Sequence, residues 1–144
     1  MKRQLITGYG ANESSRIPLR QLIDGLVGNS LSIAADNRTE VLNEVGRGVI
    51  LLNYNDRFVQ LLDDIIRAVI SNSRRGEIHI RAEKKKGNLV LHIEDRSNYN
   101  GYALSFSAGA LANDAALIGG RLEIVNPNSL ETMVLLSVPA NFAA

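Results

Sequence analysis

From Leu19 onward the apolar residues Leu19, Leu22, Ile23, Leu26, Val27, Leu31 and Ala34 recur at intervals of three and four. That spacing gathers them on one stripe of a helix. It predicts a single amphipathic helix from Leu19 to Ala35, with Pro18 in the first turn, where a missing N–H costs nothing. After a polar break at Asp36, Asn37 and Arg38, the residues Val41, Leu42 and Val45 predict a short strand, punctuated by Gly46 and Gly48. The strongest helical stripe follows: Phe58, Leu61, Leu62, Ile65, Ile66, Val69 and Ile70, with Asp56 as its expected N-cap.

The period then changes from helical spacing to strict alternation. Ile78, Ile80 and Ala82 alternate with Glu77, His79 and Arg81, and Leu89, Leu91 and Ile93 alternate along Asn88 to Glu94. The two runs predict a hairpin through a turn at Lys84 to Gly87. A second hairpin is expected from Arg121–Val125 through Asn126, Pro127 and Asn128 to Thr132–Val138. Between them the spacing predicts an irregular stretch, Arg96 to Phe106, then a small-residue helix from Ser107 to Ile118 stopped by Gly119 and Gly120. The expected fold is therefore α+β, an α/β sandwich with one mixed, largely antiparallel sheet and helices on a single face. Residues 1–14, with little periodicity, read as a tether or edge segment, and residues 15–144 as one domain.

At 144 residues the chain has room for one domain, and 45% hydrophobic residues with a mean hydropathy of −0.03 suffice for a buried core. Sixteen basic and fifteen acidic residues give a net charge of +1, which supplies no field for nucleic acid or an anionic membrane. The absence of cysteine excludes disulfides, thiolate nucleophiles and thiolate metal sites. No apolar run suits a signal peptide or a membrane span, so a cytoplasmic location is expected. No Ser-His-Asp arrangement, glycosidase carboxylate pair or Walker A loop can be assembled.

His79 and His92 fall on the polar faces of one hairpin, where a cross-strand pair could bind a metal or accept a phosphoryl group; plain surface positions explain them more simply. Lys84, Lys85 and Lys86 with Arg74, Arg75 and Arg81 form the one basic cluster, suited either to an acidic partner or to keeping a hairpin edge soluble.

Six segments, in order and spacing, resemble the C-terminal ATP-binding domain of bacterial histidine kinases, the GHKL or Bergerat-type ATPase fold. They are Ile17–Leu22, Asn55–Leu62, Gly76–Ile80, Leu91–Asp95, Gly119–Ile124 and Leu136–Pro139. In that family a carboxylate or Asn on the long helix is followed one turn later by an Asn that binds magnesium. Here the pair falls on Asp64 and Ala68, and a methyl group coordinates nothing.

The family's Asp-x-Gly-x-Gly motif, whose aspartate accepts from the adenine amino group, falls on Asp95 with Ser97 and Tyr99 in the glycine places. The close backbone approach is thereby lost, and a phenol stands where the resemblance puts adenine. The phosphate-holding lid falls between Gly101 and Gly109, with Tyr102, Leu104, Ser105 and Phe106 in place of glycines. Tyr99, Tyr102 and Phe106 are expected to fill the vacated pocket.

No dimerisation helices or phosphoacceptor box are legible ahead of the domain, so the resemblance implies a stand-alone, degenerate member. It would lack ATP hydrolysis and any bound cofactor, and would act in two-component signalling through a response regulator or another signalling protein, with a homodimer open. The alternative is an atypical ATP-binding kinase, of anti-sigma type, with Asp95 for adenine, Asp64 near magnesium or as base, and Tyr99 and Gly101 at the nucleotide. A third reading places another small molecule in the old cleft. The plain readings set against these are Asp95 as a local strand-end hydrogen-bonding group and Asp64 as part of a solvated face.

Overall fold

In a computed structural model of the protein, residues 16–52, 54–96, 101–128 and 130–142 are described. Their elements in chain order are β1 (Arg16–Pro18), α1 (Leu19–Gly28), α2 (Leu31–Asp36), β2 (Glu40–Asn43), β3 (Ile50–Leu52), α3 (Asp56–Ser71), β4 (Glu77–Lys85), β5 (Asn88–Arg96), α4 (Gly101–Gly109), α5 (Ala112–Leu117), β6 (Arg121–Val125), β7 (Glu131–Pro139) and β8 (Asn141–Phe142). The tether expected over residues 1–14 lies outside the described residues.

The stripe that predicted one helix from Leu19 to Ala35 is two helices. α1 ends at Gly28, the amides of Asn29 and Ser30 turn back to the carbonyls of Leu26 and Val27, and α2 starts afresh. Gly28, Asn29 and Ser30 are three poor helix formers in succession, and the chain bends there. Leu19, Leu22, Ile23, Leu26 and Ala34 stay buried across the bend, whereas Leu31 is exposed.

α3 buries all seven of its expected apolar residues. Its N-cap is Asn55, one residue earlier than the expected Asp56: the Asn55 side-chain oxygen accepts from the Phe58 amide at 2.9 Å. Asp56, already helical, adds its charge to the positive end of the helix. Asn55→Ala should cost about 1 kcal/mol in urea denaturation and Asp56→Ala less, because only the first removes a hydrogen bond to an otherwise unpaired amide.

The main sheet has five strands in the order β2-β4-β5-β7-β6, with β2 and β4 parallel and the other pairs antiparallel. Strands β4 and β5 run longer than the sequence suggests, and the turn contracts to Lys86 and Gly87, both at positive φ (52° and 82°). A two-residue turn of that hand matches the twist of the strands it joins. The expected mixed sheet is this one, and a second, three-stranded antiparallel sheet, β1-β3-β8, stands in addition to it. Its strands have two or three residues each, too few for alternation to register.

The face of the main sheet carrying Ile78, Ile80, Leu89, Leu91, Ile93, Val134, Leu136 and Val138 packs against α1 and α3 in one core. The expected irregular stretch and the expected helix from Ser107 are displaced: α4 already begins at Gly101, and Ala110 and Leu111 separate it from α5. Small side chains hide this boundary, because Gly, Ala and Ser carry no apolar period to read. Gly119, at φ 77°, closes α5 as anticipated. Among the described residues no helix is long and apolar enough to cross a membrane.

Candidate functional site

Asp95 lies inside β5 rather than at a turn, paired across the sheet with Ile78 on one side and Thr132 on the other. Alternation sends its side chain to the core face, where it is wholly buried. The Ser73 hydroxyl, just beyond α3, lies 3.2 Å from Asp95 Oδ1, and the Thr39 hydroxyl lies 3.1 Å from Ser73 Oγ. The Thr39 oxygen also accepts from the Gly76 amide. Asp95 thus joins a buried polar group with Thr39, Ser73 and Thr132, linking the entry to β2, the end of α3 and the centre of the sheet. The expectation of purely local hydrogen bonding fails, since Ser73 is 22 positions away. Satisfying a buried carboxylate takes such partners, because unpaired it would cost several kcal/mol.

Asp64 occupies the outer side of α3. Its Oδ1 accepts from Gln60 Nε2 at 2.9 Å and lies 3.9 Å from an Arg67 nitrogen. With Arg57, Gln60, Leu61, Asp114 and Leu117 it lines a shallow cleft of about 210 Å³ between α3 and α5, and Asp95 is not among its walls. One turn along the helix is Ala68. Magnesium takes one or two protein oxygens and fills its octahedron with waters and phosphates; here the Asp64 carboxylate could offer one and the Ala68 methyl group none. Among the described residues no group of three histidine or acidic side chains could hold a metal ion.

Ser97 and Tyr99 lie outside the described residues. Gly101 opens α4, so the segment placed at the lid is helical. Tyr102 and Phe106 do not fill a pocket: they are 74% and 87% exposed, one turn apart on the outer side of α4, while Leu104 and Ala108 are buried. The helical period decides this, since residues 104 and 108 share the inward face and 102 and 106 the opposite one. The Tyr102 hydroxyl donates to Asn128 Oδ1 at 2.9 Å, tying α4 to the turn between β6 and β7.

His79 and His92 do not pair. The register sets His79 opposite Glu94 and His92 opposite Arg81, and each imidazole engages its own carboxylates. His92 Nε2 lies 3.4 Å from Glu83. His79 is only 7% exposed, with Nε2 at 2.6 Å from Glu77 Oε1 and Nδ1 at 3.0 Å from Glu44 Oε2. The Glu77 carboxylate raises the His79 pKa above its ordinary 6.5, burial opposes this, and Glu44 adds to the rise. Glu77, two residues before His79 on one strand face, was visible in the alternation; Glu44, from the end of β2, was not.

Because the folded chain favours the imidazolium, its stabilising contribution is complete below the ordinary value and fades as pH rises through the raised one. The stability difference between the native chain and His79→Gln should therefore be larger at about pH 5.5 than at about pH 8.5, measured by urea denaturation at both. A difference independent of pH would show that the ion pairs contribute nothing.

The basic cluster also divides. Arg74 and Arg75 precede β4 and Lys84–Lys86 end it, roughly 25 Å apart at the rise of a strand. Lys84 Nζ sits 5.3 Å from the Phe142 ring centroid.

Comparison with solved structures accounts for this arrangement. The chain superposes on the histidine kinase AdeS of Acinetobacter baumannii with a TM-score of 0.70 at 13% identity, covering 88% of this chain and 67% of AdeS. It superposes on the catalytic domain of the histidine kinase ThkA with a TM-score of 0.65 at 13% identity, covering 87% of this chain and 94% of that domain.

The fold is that of a histidine-kinase ATPase domain. Full-length ShkA, solved in complex with AMPPNP, matches at a TM-score of 0.71 and 15% identity over 95% of this chain, which spans about a third (34%) of ShkA. ThkA has also been solved in complex with the response regulator protein TrrA. No protein-family model matches the sequence, and no curated protein matches it. Within the histidine-kinase ATPase fold, Asp95, Asp64 and Gly101 stand on β5, α3 and the start of α4.

Proposed function

We propose that the protein is a degenerate histidine-kinase ATPase domain that serves two-component signalling through protein contacts and does not hydrolyse ATP. The observation that carries the reading is the state of the two carboxylates: Asp95 is buried and bonded to Ser73, while the Asp64 carboxylate is held by Gln60 beside Ala68. Among the described residues, the position one turn from Asp64 on α3 offers a methyl group, Ala68, in place of a second oxygen ligand. Its partner would be a response regulator or a related signalling protein in the cytoplasm, in line with the ThkA–TrrA complex.

A thermal-shift titration with ATP and ADP, with and without magnesium, tests the reading. A ligand at 100 times its dissociation constant would add about 2.7 kcal/mol, a shift of several degrees, and the expected result is a midpoint unchanged within about 1 °C at millimolar nucleotide. A magnesium-dependent rise abolished by Asp95→Asn would replace this reading with that of an atypical ATP-binding kinase.

A further inference from the structure

The helices cover one face of the five-stranded sheet, and the other face carries its charges unevenly along the strands. At one end stand Glu40, Glu77 and Glu131 with Arg96 in their row, and in the next row on that face Glu94, which pairs with Arg96, and His79, which pairs with Glu77. At the other end stand Lys85, Lys86 in the turn, and Arg121, with Glu83 the acidic residue in the Arg121 row. Between them Val90, Val125, Met133 and Leu135 are partly exposed, so β7 is apolar on both its faces. A strand of that kind is expected where a sheet is covered on both sides.

We propose that this open face is covered by a second copy of the chain, in a symmetric dimer whose two-fold axis lies in the interface and runs across the strands. Such an axis reverses the strand direction, so the acidic end of each copy meets the basic end of the other; an axis along the strands would oppose like charges. The same operation sets Met133 of one copy over the groove of about 280 Å³ that Val90, Leu135, Lys85 and Arg121 line in the other. At ordinary strand spacing and rise the face measures roughly 600 Å² per copy, so the pair buries roughly 1,200 Å², the lower end for a specific interface.

Sedimentation equilibrium on the full chain tests the arrangement. The native protein should dimerise, more weakly as salt is added. Lys85→Glu with Lys86→Glu makes both ends acidic, and Glu40→Lys with Glu131→Lys makes both ends basic. Each double variant should weaken self-association by roughly tenfold or more, and an equimolar mixture should restore it as a heterodimer. These side chains are exposed, so circular dichroism should show both variants folded. A native chain that stays monomeric up to about 0.5 mM, a concentration that would saturate even micromolar affinity, overturns the proposal. So does a dimer indifferent to both charge reversals, or a mixture no tighter than its components.

Discussion

Leu62→Ala should lower the unfolding free energy by about 3 to 4 kcal/mol and the melting temperature by roughly 10 °C. Leu62 is wholly buried, and its neighbours on the α3 stripe, Leu61, Ile65 and Ile66, are at most 2% exposed. The helix packs against both α1 and the sheet, so the space left by three lost carbons has little freedom to collapse. Urea denaturation followed by far-ultraviolet circular dichroism gives the value. A loss below about 1 kcal/mol would mean that α3 is not packed as described. The consequence reaches the site, because α3 carries Asp64 and its end delivers Ser73 to Asp95.

Gly120→Ala should cost about 2 to 3 kcal/mol, although it adds only a methyl group. A Cβ there would lie 2.6 Å from the Ser137 carbonyl oxygen and 2.7 Å from Val138 Cγ1. Neither neighbour can yield cheaply, since Ser137 belongs to the β6–β7 ladder and Val138 to the core. Gly28→Ala is the matched control: it ends α1 with nothing within 4 Å of the new Cβ. It should be neutral or stabilise by up to about 1 kcal/mol, since alanine restricts the unfolded chain and favours helix. Equal effects at the two positions would show that the close packing of residues 120 and 137 does not exist.

Long periodic segments were legible in the amino-acid pattern. The α3 stripe rests on seven positions repeating at one period and the first hairpin on six, and burial of that face removes much apolar surface from water. The same patterns carried the resemblance to a histidine-kinase ATPase domain. Segments without a clear apolar period were harder to read: α5 lies within the helix expected from Ser107 to Ile118, but the start of α4 at Gly101 and the break at Ala110–Leu111 were not legible, and α2 was hidden because its stripe continues in phase with α1 across the Asn29–Ser30 break.

Sequence alone, then, determined the order of the long elements and the inward face of each, because these depend on residue type and local period. Tertiary structure decided everything that depends on register and on distant partners. It placed Thr132 beside Asp95, brought Ser73 and Thr39 to that carboxylate, separated His79 from His92 and turned Tyr102 and Phe106 to solvent. A strand shifted by one residue would reverse each of those sheet contacts while leaving the alternation unchanged, and for that reason local pattern could not choose among them.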